Sequence, residues 1–383
     1  MLRMALLGLA LATVVVRGEP PGADPVMEKT DLFQAGEGGY AFYRIPGIVV
    51  TARGAVLAYC EARRDSISDW GAIDVQLRRS LDGGRTWQAA RKITSPPEDA
   101  ARNPLATAKK LGTEGNITVG NPVAIPDKSG AVHFLYCVEY ARCFYMRSDD
   151  DGASFTRPVE ITAVFDRYRA EFAWKILATG PGHGVQLRSG RLIVPAWLSL
   201  GTGPNAHGSS CNTTIYSDDG GRTWQRGAIV ASDPEPKNPS ETAAVELSDG
   251  RVMLNFRHES RPRGRGVAIG PDGAGGWSRP AFDDALPEPI CMGSMIRVPA
   301  ADRWRILFSN PHNPENTRRR NLSVKLSYDD GLTWPLQRSI EEGPSGYSDL
   351  AASTDGWIYC FYERGNRASL CVARFNLAWL GEK

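Results

Sequence analysis

The chain has 383 residues, of which 42% are hydrophobic and 23% charged, with a formal net charge of +2. That balance excludes a disordered chain and a multi-span membrane protein, and it names no nucleic-acid partner. Glycine (40) and proline (26) are abundant, which suits many short strands joined by turns, and 36 arginines stand against 9 lysines, a preference for the side chain that grips carboxylates in a two-pronged contact.

The first element is an apolar run, Ala5 to Val16, behind the basic start Met1-Leu2-Arg3. It is too short to span a bilayer comfortably, and Arg17-Gly-Glu-Pro-Pro21 would break a helix continuing from it. Residues 1–22 therefore read as an export signal peptide, and 23–383 as a single domain, exported to a secreted, periplasmic or lumenal location. No later segment reaches the length of a membrane span. Seven cysteines follow. The number is odd, and none stand as C-x-x-C, so zinc is not expected. Cys137/Cys143 and Cys360/Cys371 each bracket a hairpin and suit either local disulfides or small buried strand residues.

Along the rest of the chain the dominant signal is repetition. Four octets share S-x-D-x-G-x-[ST]-[WF]: Ser80 to Trp87, Ser148 to Phe155, Ser217 to Trp224 and Ser327 to Trp334, with a degenerate fifth near Gly270-Pro-Asp-Gly273. The aspartate is placed to accept backbone N–H groups, the glycine allows positive φ, and the aromatic pins the loop. These octets are hairpin turns without a catalytic part. A second, quieter beat of apolar run, turn and β-rich run has its turns near 54, 130, 190, 250, 302 and 356. Six units of two hairpins predict an all-β fold, a six-bladed β-propeller, with a strand near Asp31–Gln34 closing the last blade.

In a propeller, strand-end loops converge on one cavity. Arg44 in Tyr43-Arg-Ile-Pro46, Arg257 at the end of Val252-Met-Leu-Asn-Phe-Arg257, and Arg319 in Arg318-Arg-Arg-Asn-Leu322 come from three different units. Together they fit one carboxylate. With Glu61-Ala-Arg63, Asp69-Trp-Gly71, the four octets, Thr179-Gly-Pro-Gly-His183, Ser240-Glu241, Asn255-Phe-Arg257 and Gly343-Pro-Ser-Gly-Tyr-Ser-Asp349, the chain resembles the exo-α-sialidases (neuraminidases) of bacterial and animal type from about residue 40 to 375. The resemblance implies a carboxylate clamp of Arg44, Arg257 and Arg319, the last chosen over Arg318 and Arg320 by the Arg-x-Asn pattern. It implies Arg63 on the sugar's O4 side, Asp69 as acid/base with Asp65 as runner-up, Tyr347 as nucleophile with Glu241 as its base, and Glu363 orienting the first arginine. Asp74 is read as structural.

The chemistry agrees with those roles. The anomeric carbon of the substrate bears a carboxylate, so a carboxylate nucleophile would meet like charge, and a neutral tyrosine avoids it. The resemblance therefore implies hydrolysis of terminal α-linked sialic acids from glycoproteins, glycolipids or oligosaccharides, with retention, no cofactor and no metal. Two other readings are kept: a non-catalytic glycan-binding propeller, and a hydrolase for a related ulosonic acid. Trp70, Phe172, Trp174 and Lys175 are candidates for an N-acyl pocket or for plain packing, and Arg261-Pro-Arg-Gly-Arg265 reads as a solvated loop.

Overall fold

The computed structural model describes residues 24–261, 263–298 and 304–382. The expected signal peptide and the turn near 302 lie outside them. The described chain is almost entirely β-strand, with three helices of five residues or fewer. Among the described residues no helix is long and apolar enough to cross a membrane.

Antiparallel meanders follow one another along the chain. The first runs Phe42–Val50, Val56–Arg63, Ile73–Ser80 and Arg91–Lys92. The second starts at Val119–Pro126, the third at Ile176–Thr179 and the fourth at Thr242–Glu246. The starting strands are buried along nearly their whole length, and so is the second strand of the first meander. All eight residues of Val56–Arg63 are buried, which is why such strands read as continuous apolar runs instead of alternating ones.

Layers of buried side chains join each sheet to the next. Val75 and Leu77 meet Phe134 and Tyr136, Leu135 meets Leu192 and Ile215, Ile193 meets Leu254, and Met253 meets Phe308. A further layer, Ala58 and Cys60 against Tyr359 and Val372, returns from the last sheet to the first. The arrangement is therefore propeller-like, as its repeats predict. The closing strand is also present: Met27–Gln34 pairs antiparallel with Ser369–Phe375, from Met27 opposite Phe375 to Gln34 opposite Ser369.

Six separate sheets are not found. Four sheets have four or five strands and the fifth has seven. The cause is the 17-residue strand Leu336–Ala352. Its first half pairs with Arg320–Ser327 and its second half with Ile358–Arg364, so hydrogen bonding never breaks between the two meanders. The sheet is nonetheless folded on itself, since Leu307, Val324 and Leu326 pack against Leu350, Cys360 and Ala373.

The four octets share one hydrogen-bond scheme. In the third, Asp219 Oδ1 accepts from Thr223 N at 2.9 Å, its Oδ2 from Thr223 Oγ1 at 2.6 Å, and Ser217 Oγ accepts from Gly221 N at 2.9 Å. In the degenerate fifth, Asp272 instead takes Ala274 N, two residues on, at 3.0 Å and Arg191 Nη1 at 2.7 Å. Of the two readings of the cysteines, small buried strand residues holds: all seven thiols are free and buried, although Cys137 and Cys143 face each other directly in their hairpin. The solvated-loop reading of the basic run is corrected. Arg265 is fully buried, because Glu288 and the Cys291 carbonyl neutralise and saturate it. Only the beginning of that basic run is solvated.

Candidate active site

The inner strands carry β-bulges at the same end of the ring, and the bulges aim side chains into it. Register shifts fall between Arg44 and Gly47, between Gly120 and Val123, and between Ser345 and Ser348, bracketing Ile45, Asn121 and Tyr347. Ile45 and Asn121 hold φ of 57° and 53°. Buried carboxylates clip these irregular backbones together. Glu363 takes Arg44 Nε at 3.0 Å and the backbone N–H groups of Ile45 and Tyr347 at 3.3 Å each. It thereby joins the first inner strand to the last. Glu61 does the same between the first and second, taking Asn121 N at 2.8 Å on one oxygen and Arg63 on the other. Asp349, one layer deeper, takes Ile48 N at 2.9 Å, Ser294 Oγ at 2.8 Å and His183 Nδ1 at 2.7 Å.

Above these clips lies a cavity of about 370 Å³ whose walls include Arg44, Asp69, Glu241, Arg257, Arg319 and Tyr347. Tyr347 Oη donates to Glu241 Oε1 at 2.5 Å, and Arg257 Nη1 donates to both Tyr347 Oη and Glu241 Oε2 at 2.8 Å. The guanidinium carbons of Arg44 and Arg319 stand 5.4 and 5.0 Å from the centre of the Tyr347 ring. Three guanidinium groups from separate parts of the chain thus surround one phenol. Burial, then the Glu241 charge, push the Tyr347 hydroxyl above the usual phenol range, against the pull of Arg257 and Arg319. It is therefore held protonated, with its proton on a path to Glu241.

Asp69 lies across the cavity from this pair, with about a third of its side chain open. Arg63 Nη2 is 2.9 Å from it and Arg44 Nη1 3.3 Å. Burial raises its carboxyl, but Arg63 and then Arg44 outweigh burial and hold it below the ordinary carboxylate range. Glu363 is lowered in the same manner, burial being outweighed by Arg44 and Arg319.

The fold therefore brings together Arg44, Arg63, Asp69, Glu241, Arg257, Arg319, Tyr347 and Glu363. Arg319 faces the cavity, whereas Arg318 and Arg320 are exposed. Asp65 is exposed on the loop before Asp69 and makes only a 3.5 Å contact with Asn116. Asp74 is buried among Tyr40, Arg64 and Lys92, away from the cavity.

The comparisons bear on what this cavity belongs to. Residues 54–360 match the family model of the BNR repeat-like domain. A sialidase of Bacteroides fragilis is 30% identical over 92% of this chain and 67% of its own length. The chain belongs to the sialidase family. A sialidase of Micromonospora viridifaciens is 32% identical over 98% of the chain, which spans 59% of that protein. Among solved structures, Hadza microbial sialidase Hz136 superposes with a TM-score of 0.76 at 27% identity, covering 91% of this chain and 68% of that one.

Within this sialidase-family site, residues of the cavity wall that sequence reasoning missed include Asn121, His207 and Arg367. His207 is packed among Trp70, Tyr140 and Trp197, with ring centres 6.3, 5.1 and 5.3 Å away, and its Nε2 has no hydrogen-bond partner among the described residues. The one available signal was Asn121, in Gly120-Asn-Pro122, where an asparagine before proline suits an irregular backbone. The candidate aromatics Phe172 and Trp174 belong instead to a core layer, and Trp70 is buried with its Nε1 on the Asn205 carbonyl.

Proposed function

We propose that this protein is an exo-α-sialidase, a glycoside hydrolase releasing terminal α-linked sialic acids from glycans with retention of configuration. The observation that carries the reading is the Tyr347–Glu241–Arg257 triangle facing Asp69 across one cavity. A glycan-binding module needs the arginines. It does not need a buried phenol whose proton points at a carboxylate.

The substrate carboxylate docks on Arg44, Arg257 and Arg319 by charge-assisted contacts. Tyr347 Oη attacks the anomeric carbon while its proton passes to Glu241, and Asp69 gives its proton to the departing glycosidic oxygen. Arg257 touches both members of the pair and steadies the charge as it moves. Asp69 then takes a proton from water, whose oxygen displaces the tyrosine, and Glu241 returns its proton to Tyr347. Two displacements at one carbon retain its configuration. Docking also prepares the acid: a carboxylate seated on Arg44 offsets one of the charges that hold Asp69 ionised, so Asp69 gains a proton more easily in the complex. The same reading counts Leu336–Ala352 in two blades, which gives six, treats the described chain as one domain, and keeps residues 1–22 as an export signal.

Release of a fluorophore from an aryl α-N-acetylneuraminide, wild type beside Tyr347→Phe, tests the reading. The expected loss in kcat/KM is about a hundredfold or more. A fully active Phe variant removes the nucleophile assignment. An inactive, folded wild type that cleaves a deaminated analogue moves the substrate to a related ulosonic acid.

A further inference from the structure

The clamp and the acid site use every arginine of the cavity wall but one. Arg367 lies in the turn between Ile358–Arg364 and Ser369–Phe375, at the cavity edge. It is exposed and has no ion-pair or hydrogen-bond partner among the described residues. The charges that act on it most strongly are Arg44, Glu363, Arg319 and Arg63, three cations and one carboxylate already taken up by Arg44. Its backbone is in the left-handed region, φ 65°, which a long side chain adopts only where the surrounding turn imposes it. A cation held beside three others is stabilised by an anion brought from outside.

The chemistry of the substrate says where that anion comes from. The carboxylate and the leaving group hang on the same anomeric carbon. With the carboxylate on Arg44 and Arg319, the leaving sugar begins beside the clamp, on the side where Asp69 reaches the glycosidic oxygen. Arg367 lines the same cavity as Arg44, whose charge acts on it and which itself contacts Asp69 at 3.3 Å. Another part of the wall carries an exposed carboxylate, Glu259, held by Asn238 at 3.0 Å and two residues beyond the clamp arginine Arg257.

We propose that Arg367 forms a leaving-group subsite that reads a carboxylate on the penultimate sugar, so that the preferred substrates are chains in which one sialic acid is α-linked to another. The proposal rests on the sialidase reading above and adds the substrate class. A guanidinium fork matches a carboxylate better than it matches a sugar hydroxyl.

The test is the ratio of kcat/KM for an α-linked sialic acid dimer to that for sialyllactose, whose penultimate sugar is neutral. Arg367→Asn is the first variant, because asparagine tolerates the left-handed backbone, and Arg367→Glu the second. The ratio is expected to fall by about three- to fivefold in Arg367→Asn and further in Arg367→Glu, and about 0.5 M salt should bring the wild-type ratio down toward the Asn variant's. An unchanged ratio in both variants overturns the proposal. So does an equal loss on both substrates, which would make Arg367 a fourth member of the clamp. Cleavage of sialyllactose by wild type in the same assay separates failure of this subsite from failure of the sialidase reading.

Discussion

Asp69 is held between two guanidinium groups, and this governs how its acid chemistry will read out. Its job matters only when the leaving group needs a proton. Asp69→Asn should therefore lower kcat/KM on a natural sialoside by about 10² to 10⁴, and much less on an aryl sialoside whose phenolate leaves unaided. Equal losses on both would take the acid role away. The pH profile carries a sign. Because Arg63 and Arg44 outweigh burial and keep the free-enzyme carboxyl below its ordinary range, its protonated fraction grows as pH falls. kcat/KM on the natural substrate should rise toward acid, and that rise should vanish in the Asn variant. The residues of this pair were legible because they sit in short motifs, Glu61-Ala-Arg63 and Asp69-Trp-Gly71. Arg367 and His207 were not, because only the folding of distant turns onto one cavity gives them a role. Arg265 misled for the same reason. Its charge pattern reads as solvated until Glu288, 23 residues on, is folded against it.

Turns and bulges divide the work among the elements. The bonds of the octet aspartate are local: every partner of Asp219 lies within the same eight residues, Ser217 and Thr223 among them. Local chemistry of this kind is visible in sequence, which is why the repeats could be read directly. Asp219→Ala leaves the Thr223 N–H and hydroxyl without their acceptor. It should cost roughly 1 to 3 kcal/mol in denaturant unfolding with kcat/KM per folded molecule unchanged, since the turn lies away from the cavity. A matching fall in kcat/KM would mean the turns shape the site. The bulges are the opposite case. Their register depends on carboxylates from neighbouring strands, Glu363 for Tyr347 and Glu61 for Asn121, so beyond the asparagine before Pro122 no local pattern announces them. The facing pair Cys137 and Cys143 shows the same limit, for spacing placed them in one hairpin without saying whether their sulfurs join.

At the scale of the molecule the ring is closed by pairing its two ends. Met27–Gln34 covers the edge of Ser369–Phe375, Leu32 and Phe33 enter the layer between the last and first sheets, and Asn376 binds Val26 N at 3.1 Å and the Asp24 carbonyl at 2.9 Å. Removing residues 24–34 uncovers that strand edge and empties part of the closing layer. The shortened chain should lose its cooperative thermal transition or associate through the bare edge, as light scattering during a melt would show. A monomer melting as the full chain does would mean the ring holds without its clasp. The propeller-like architecture was legible from its beat of turns. The merging of two meanders was not, because nothing in Leu336–Ala352 marks where one hydrogen-bonded neighbour gives way to the next. That strand also constrains how the chain can change in length. It changes partner between Pro344 and Ser345, just before Tyr347. One residue inserted upstream of the tyrosine would turn every later side chain to the other face and disturb two meanders at once. Insertions and deletions among relatives should accordingly collect in the outer turns and spare these seventeen positions.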